Sequence, residues 1–214
     1  MSTSRLKIYN SALMICGERQ LASLTEEREP RRLLDTVWDN DGIEACLEMA
    51  QWKFAMRTVR IDYDADITPS YGNRRAFTKP DDWVITSAVC SDEYFNTPLL
   101  RYVDETGYWY ADIDEIYVRY VSNDSSYGSD LSLYPATYAD FVAAHFASKV
   151  IFKLTSDEKK RNSVIKWEEK KLKIAKNKDA MAGPTQFPAP GNFVQSRSRL
   201  GGHRDRGSRN QLIG

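Results

Sequence analysis

The sequence predicts an α+β fold, and three observations predict it. Apolar residues recur at helical spacing near both ends of the 214-residue chain, a central stretch alternates with period two, and the helical segments flank that stretch. Two helical segments precede the central stretch and two follow it. The economical arrangement is a four-helix bundle built from residues 1–53 and 131–180, an antiparallel β domain, 54–130, inserted between them, and an extended basic arm, 181–214.

Each element has its own signal. From Ser4 to Cys16, Leu6, Tyr9, Leu13 and Cys16 share a helical face, and Gly17 stands where a left-handed cap closes a helix. After Leu21 and Leu24, Pro30 is placed as a first-turn proline, and Leu34, Val37 and Trp38 follow on one face. Asp39-Asn40-Asp41-Gly42 interrupts the pattern before Ile43, Cys46, Leu47 and Ala50 resume it, which predicts a second helix bent at that point. From Phe54 to Ser122, β-branched and aromatic residues accumulate, with Tyr117, Arg119 and Val121 alternating against Val118 and Tyr120. Turn signals at Ser70–Asn73, Lys79–Asp82, Asn96–Pro98 and Glu105–Gly107 divide this region into about five short, locally joined strands.

The helical period returns with Ala139, Val142, Ala143, Phe146, Val150 and Leu154, a stripe whose small residues admit a close helix neighbour. Thr155-Ser156-Asp157-Glu158 reads as a capping box opening a last helix to about Lys178, laced by Asp157/Arg161 and Glu169/Lys173 pairs. Its stripe, Ile165, Leu172 and Ala175, is thin, so much of this helix is expected to face water or a neighbouring subunit. Beyond Gly183 the composition turns to Gly, Pro, Ser and Arg and is too poor in apolar residues to build a core.

With 42% hydrophobic and 28% charged residues the composition is that of an ordinary globular protein, and 30 basic residues balance 30 acidic ones. The balance is uneven along the chain. Residues 1–156 carry 16 basic against 24 acidic side chains, and residues 157–214 carry 14 against 6, an acidic part of −8 and a basic part of +8. Cys16, Cys46 and Cys90 form no CxxC pair and lie in apolar surroundings, the pattern of buried reduced thiols. The stretch after Met1 is broken by Lys7 and Asn10 and lacks a continuous signal-peptide core, and the most apolar run, Leu131–Leu154, carries Asp140, His145 and Lys149. The expectation is a protein that remains in the cytoplasm or leaves within a particle, with no membrane partner.

Raw material for catalysis is scarce. Only His145 and His203 occur, so a histidine triad or zinc cluster is not expected, and His145 reads as a satisfied interior or interface histidine. Neither phosphate-cradling glycine motif is present. Asp112, Asp114 and Glu115 read as a solvated turn rather than a glycosidase pair, and Asp62, Asp64 and Asp66 lack the glycine and terminal glutamate of a calcium loop. No cofactor and no metal are expected. Tyr102, Tyr108, Trp109, Tyr110, Tyr117 and Tyr120 have no matching basic groove for stacking bases and read as packing or protein-interface residues. Residues 183–214 carry a net charge of +4 and reach on the order of 100 Å when extended, which suits a segment that orders on an acidic protein surface or on nucleic acid.

Several local patterns, in order over residues 6–155, resemble the tail tubular protein A family, the head-to-tail adaptors of short-tailed double-stranded-DNA phages. Asn10-x-x-Leu13-x-x-x-Gly17-Glu18 followed by Leu21 and Leu24 is similar to the family's opening helix and loop, and Trp52-x-Phe54-Ala55 to its helix–sheet junction. Pro80-x-Asp82 resembles the turn before a strand and Ala143-x-x-x-Ala147 the alanine-rich helix, while Lys79 departs from the apolar residue usual before the proline. The resemblance implies a closed ring, twelvefold in the family, with DNA passing through its centre without specific binding. It further implies that the helices pack between neighbours, that the sheet faces tail nozzle or tail-fibre proteins, and that the C-terminal segment climbs the portal. On that reading Ala139, Ala143, Phe146, Ala147, Val150 and Trp167 pack between subunits, and Phe187, Phe193, Arg197, Arg199, Arg204, Arg206 and Arg209 anchor the arm on the portal. The competing readings are a nucleic-acid-binding protein using Lys159–Lys178 and the arm, and a cell-wall hydrolase for which no credible acid/base pair is evident.

Overall fold

A computed structural model describes residues 3–40, 42–69 and 72–183. The fold is α+β, with five α-helices and two small antiparallel sheets among the described residues. The first helix, α1, spans Arg5–Cys16. Ser4 caps it by accepting a hydrogen bond from the Lys7 amide, and Gly17, at φ 79°, closes it in the left-handed conformation that a side chain would strain. Asn10 then pins the following loop, donating to the Leu21 carbonyl at 3.0 Å and accepting from the Leu21 amide at 2.8 Å.

The expected bent helix is two helices, α2 (Glu29–Asp39) and α3 (Gly42–Glu48). The break is steric. A Cβ on Gly42 would lie 2.5 Å from the Val37 carbonyl oxygen and 3.2 Å from the Phe146 ring, so only glycine lets the chain restart this close to its neighbours. A single 3-10 turn, Lys53–Ala55, leads into the strands β1 (Met56–Asp62), β2 (Arg75–Thr78), β3 (Trp83–Cys90), β4 (Val103–Glu105), β5 (Tyr108–Ala111) and β6 (Glu115–Ser122). Among the described residues there are six strands where about five were expected, and they divide into two sheets of order β1-β6-β3 and β2-β5-β4. The additional division falls in the last expected segment, which is two strands, β5 and β6, in different sheets, and β4 pairs with β5 across the tight Thr106-Gly107 turn.

Two longer helices complete the described residues: α4 (Ala136–Thr155) and α5 (Glu158–Met181). Ser156 ends α4 with φ 51°, and the Asp157 carboxylate opens α5 by accepting from the Lys159 and Lys160 amides. With Asp157 engaged there, Arg161 lies over the Phe152 ring, and neither i,i+4 ion pair expected along α5 forms. Among the described residues no helix is long and apolar enough to cross a membrane.

One core lies among the helices and takes in Val84 and Val121 from the first sheet. Trp52 anchors it at the helix–strand junction. Its ring meets Tyr138 at 4.7 Å and Phe141 at 6.2 Å, and its indole N–H donates to the Cys46 carbonyl at 3.0 Å. The second core lies on the strands, where Ile116, Val118 and Tyr120 of β6 meet Phe77, Val89 and Trp109. Cys16, Cys46 and Cys90 are free and buried, and burial pushes the Cys16 thiol up to about 11.

Asp82, in the turn before β3, ties the first sheet together. Its carboxylate accepts from Arg57 of β1 at 2.8 Å, from the Tyr120 hydroxyl at 3.0 Å and from Ser122, and its carbonyl accepts from the Asn123 amide. Burial alone would raise this carboxyl's pKa; the hydrogen bonds from Ser122, Arg57 and Tyr120 outweigh it and hold the group below the usual carboxylate range. The stability this contributes is present above the unfolded-state value, near 4, and is lost as pH falls through the lower folded-state value. Wild-type stability, measured by urea unfolding, is expected to drop between about pH 5 and about pH 3, with a smaller drop in Asp82→Asn. Equal drops in the two proteins would show that Asp82 does not carry the effect.

Candidate interaction surfaces

Of the acidic groups that sequence inspection singles out, Asp62, Asp64, Asp112, Asp114 and Glu115 already have structural partners. Asp112 accepts from the Arg74 amide, Asp114 pairs with Arg75 at 2.9 Å and Glu115 with Arg60 at 2.6 Å. Asp62 also pairs with Arg60, while Asp64 accepts from the Asp66 amide and the Thr78 hydroxyl. Among the described residues no three His, Cys, Asp or Glu side chains are grouped to hold a metal ion.

The alanine-rich stripe of α4 is spent inside the chain. Ala143, Phe146, Ala147 and Val150 are at most 2% exposed, covered by α1, α2 and α3, with the Phe146 ring 5.9 Å from Trp38 and 6.3 Å from Tyr9. These four therefore cannot meet a neighbouring subunit as the sequence led us to expect: the close-packing partner of the alanines is the chain's own α1, whose Cys16 thiol points at the Ala147 carbonyl. Ala139 is half-buried against the same core. Of the six, only Trp167 of α5 presents a largely open side chain, at 43% exposure.

His145 is an interior histidine, closing the α4–α5 contact from within. Its Nδ1 lies 2.7 Å from the Glu168 carboxylate, and both side chains are largely covered. Burial pushes the Glu168 carboxyl upward, but hydrogen bonds from His145 and Ser148 and the charges of His145 and Lys149 leave it net lowered, so it stands ionised against the imidazole. Lys171 adds a 2.8 Å ion pair to Asp140 of α4. Near its end, α5 is tied to the turn before β1: Asp179 accepts from the Lys53 amide, and the Lys53 ammonium donates to the Ala180 carbonyl at 3.0 Å.

Only Val164 and Ala175 of α5 are buried. Of the expected stripe, Leu172 and Ala175 pack against the helical core, with Val164 added, and Ile165 is half-buried. One flank of the helix carries Trp167, Ile174 and Met181, seven residues apart and 43%, 39% and 74% exposed. The ammonium groups of Lys170 and Lys171 stand 5.5 Å and 5.2 Å from the Trp167 ring centroid. This helix carries nine basic and four acidic residues, a net +5, so its outer side is an apolar line set in a basic field.

A second cluster was not visible in the sequence. Lys79, ahead of Pro80, is buried: its side chain is 6% exposed, its ammonium sits 3.8 Å from the Trp83 ring centroid and 5.4 Å from that of Trp109, and it pairs with Asp104. Both indole N–H groups donate to the Thr86 hydroxyl at 3.1 Å, and that hydroxyl donates to Asp104 at 3.0 Å. The lysine stem thus fills an apolar slot while its charge is fully partnered, which fixes the β4–β5 hairpin against β3. Phe187, Phe193, Arg197, Arg199, Arg204, Arg206 and Arg209 lie outside the described residues.

No protein-family model matches the sequence, and no curated protein is similar to it.

Lys79→Ala is expected to lower the unfolding free energy by about 2 kcal/mol, since it empties the slot filled by the lysine stem as well as removing a cation–π contact and the ion-pair partner of Asp104. Lys79→Met keeps the stem in the slot and is expected to lose clearly less. Chemical denaturation of both variants checks this; equal losses would mean that the packed stem contributes nothing.

Proposed function

We propose that the chain is a non-enzymatic structural adaptor of a short-tailed phage particle, forming a ring below the portal that extends the DNA channel and docks tail components. The observation that carries this reading is α5: a 24-residue helix packed on one side only, whose outer side keeps a tryptophan, an isoleucine and a methionine in water. A monomer gains nothing by leaving such a line uncovered, whereas a subunit of an assembly does. The motifs that resemble the tail tubular protein A family support the same reading by what their residues do. Asn10 holds the loop after α1, Trp52 seats the helix–strand junction, and Asp82 joins three strands.

In this reading α1, the α2–α3 pair, α4 and α5 act as the four-helix bundle, residues 54–130 as the inserted β domain that meets tail nozzle or tail-fibre proteins, and residues 181–214 as the arm that climbs the portal. Phe187, Phe193 and the five arginines anchor that arm on an acidic portal surface. The ring has twelve subunits by the resemblance, and its place is the head–tail junction of the virion after synthesis in the host cytoplasm. Genomic DNA passes through without specific binding, helped by the acidic balance of residues 1–156, which offers phosphates no counterion release.

A second reading, nucleic-acid binding by α5 and the arm, is favoured by one observation: apart from Lys171, the basic side chains of α5 are exposed. The two readings separate in a single experiment. Mixing the purified chain with its cognate portal and imaging the product by electron microscopy is expected to give a ring beneath the portal, and deleting residues 183–214 to weaken or abolish that association with the circular dichroism spectrum of the fold retained. No association, together with retention on DNA that falls steeply with salt, would instead establish the nucleic-acid reading.

A further inference from the structure

The outer side of α5 is apolar and basic, so its occupant must be apolar and acidic, and the chain itself carries such a surface. Residues 56–122 hold twelve acidic and seven basic side chains, a net −5 against the +5 of α5. Within that region the connection from β3 to β4, with β4 itself, exposes the largest apolar groups: Tyr94 is 76% exposed, Leu100 91% and Val103 45%, and the same stretch exposes the carboxylates of Glu93 and Glu105 against the one basic side chain of Arg101.

This connection is built to hold its shape. Asp92 accepts from the Asn96 and Thr97 amides at 3.0 Å and 2.7 Å, and the Thr97 carbonyl accepts from the Ser91 amide. Phe95 sits at φ 57°, a left-handed conformation costly for a bulky residue, with the Arg119 guanidinium 4.3 Å above its ring. The return path is fixed by a bridge between Cys90 and Pro98 and by the Leu99 amide donating to the Val89 carbonyl. A pre-ordered loop that keeps an aromatic and a leucine in water loses little conformational entropy when it is covered, which is the economy of a protein-docking element.

We propose that α5 of one copy, through Trp167, Ile174 and the lysines beside them, docks on the β3–β4 connection of the next copy, making the contact between subunits head to tail. This rests on the ring reading above and names the surfaces that close it. Because the two surfaces are different parts of the chain, the contact is heterologous, the type that generates rings. Charge selects the occupant. Residues 184–214 carry a net charge of the same sign as α5 and are repelled by it, whereas the acidic β region attracts it.

The test places a photo-crosslinking amino acid at Ile174 in the full chain, assembles a mixture of ordinary and nitrogen-15 chains on the cognate portal, irradiates, and maps the joined peptides by mass spectrometry. The expected product joins α5 of one isotopic form to residues 91–105 of the other. A charge-reversed chain, Lys170→Glu with Lys173→Glu, is expected to reduce ring yield by about tenfold or more, and Glu93→Lys with Glu105→Lys added in the same chain to restore it. Rings in the micrographs with α5 joined to the portal, to DNA, to residues 184–214 or to another part of the neighbour would overturn this docking and leave the ring standing. Failure of the unmodified chain to form rings would overturn both.

Discussion

The burial of α4 on all sides is the constraint from which the arrangement of the helices follows. From Phe141 to Ala147 every residue is buried, so the helix has no solvent side over two turns and must be covered by α1, α2, α3 and α5 at once. Enclosing that segment draws a histidine inside, and a buried imidazole needs a hydrogen-bond partner. Glu168 supplies it from α5, and Lys171 adds a tie to Asp140. Because these polar contacts hold α5 with only two fully buried side chains, the helix needs no second packed side. Its outer side is left for something else.

The strands are organised by two charged groups taken out of water. Asp82 collects hydrogen bonds from β1 and β6 at the start of β3, and Lys79, three residues earlier, sits between two indoles and pairs with Asp104 of β4. Each charge is costly to bury alone and, once partnered, admits few alternative registers. The short connection from Lys79 to Asp82 thereby fixes both sheets relative to the same turn. The preformed β3–β4 connection and its exposed Tyr94 and Leu100 are presented from that fixed base.

Periodicity made the helices legible, because it reports directly which side of an element is buried. It does not report against what. The Ala143, Phe146, Ala147 and Val150 stripe announced a close helix neighbour, which the resemblance assigned to the next subunit, although its partners lie in the same chain. The break between α2 and α3 was visible as a turn-rich tetrapeptide, but its sharpness shows only in the close approach of the Val37 carbonyl to Gly42, with the Phe146 ring beside it. The division of the last strand segment into β5 and β6 is not legible, because Asp112-Ile113-Asp114 carries no glycine or proline, and it is the pairing with β2 and β4 on one side and β1 and β3 on the other that separates the two strands. Lys79 was missed for a different reason: a lysine reads as solvated unless two tryptophans and an aspartate from separate strands are known to converge on it. The exposed line on α5 was partly legible, since a thin apolar stripe on one side already implied an outside neighbour.

On the proposed reading α5 is an element held lightly on one side and completed by assembly. Residue-resolved hydrogen exchange on the free chain and on the chain bound to the portal tests this most directly, because amide protection separates local opening from global unfolding. The account predicts that in the free chain α4 exchanges only through global unfolding while α5 opens at lower free energy, and that binding slows exchange in α5 with little change in α4. Protection of α5 equal to that of α4 in the free chain, unchanged on binding, would contradict it.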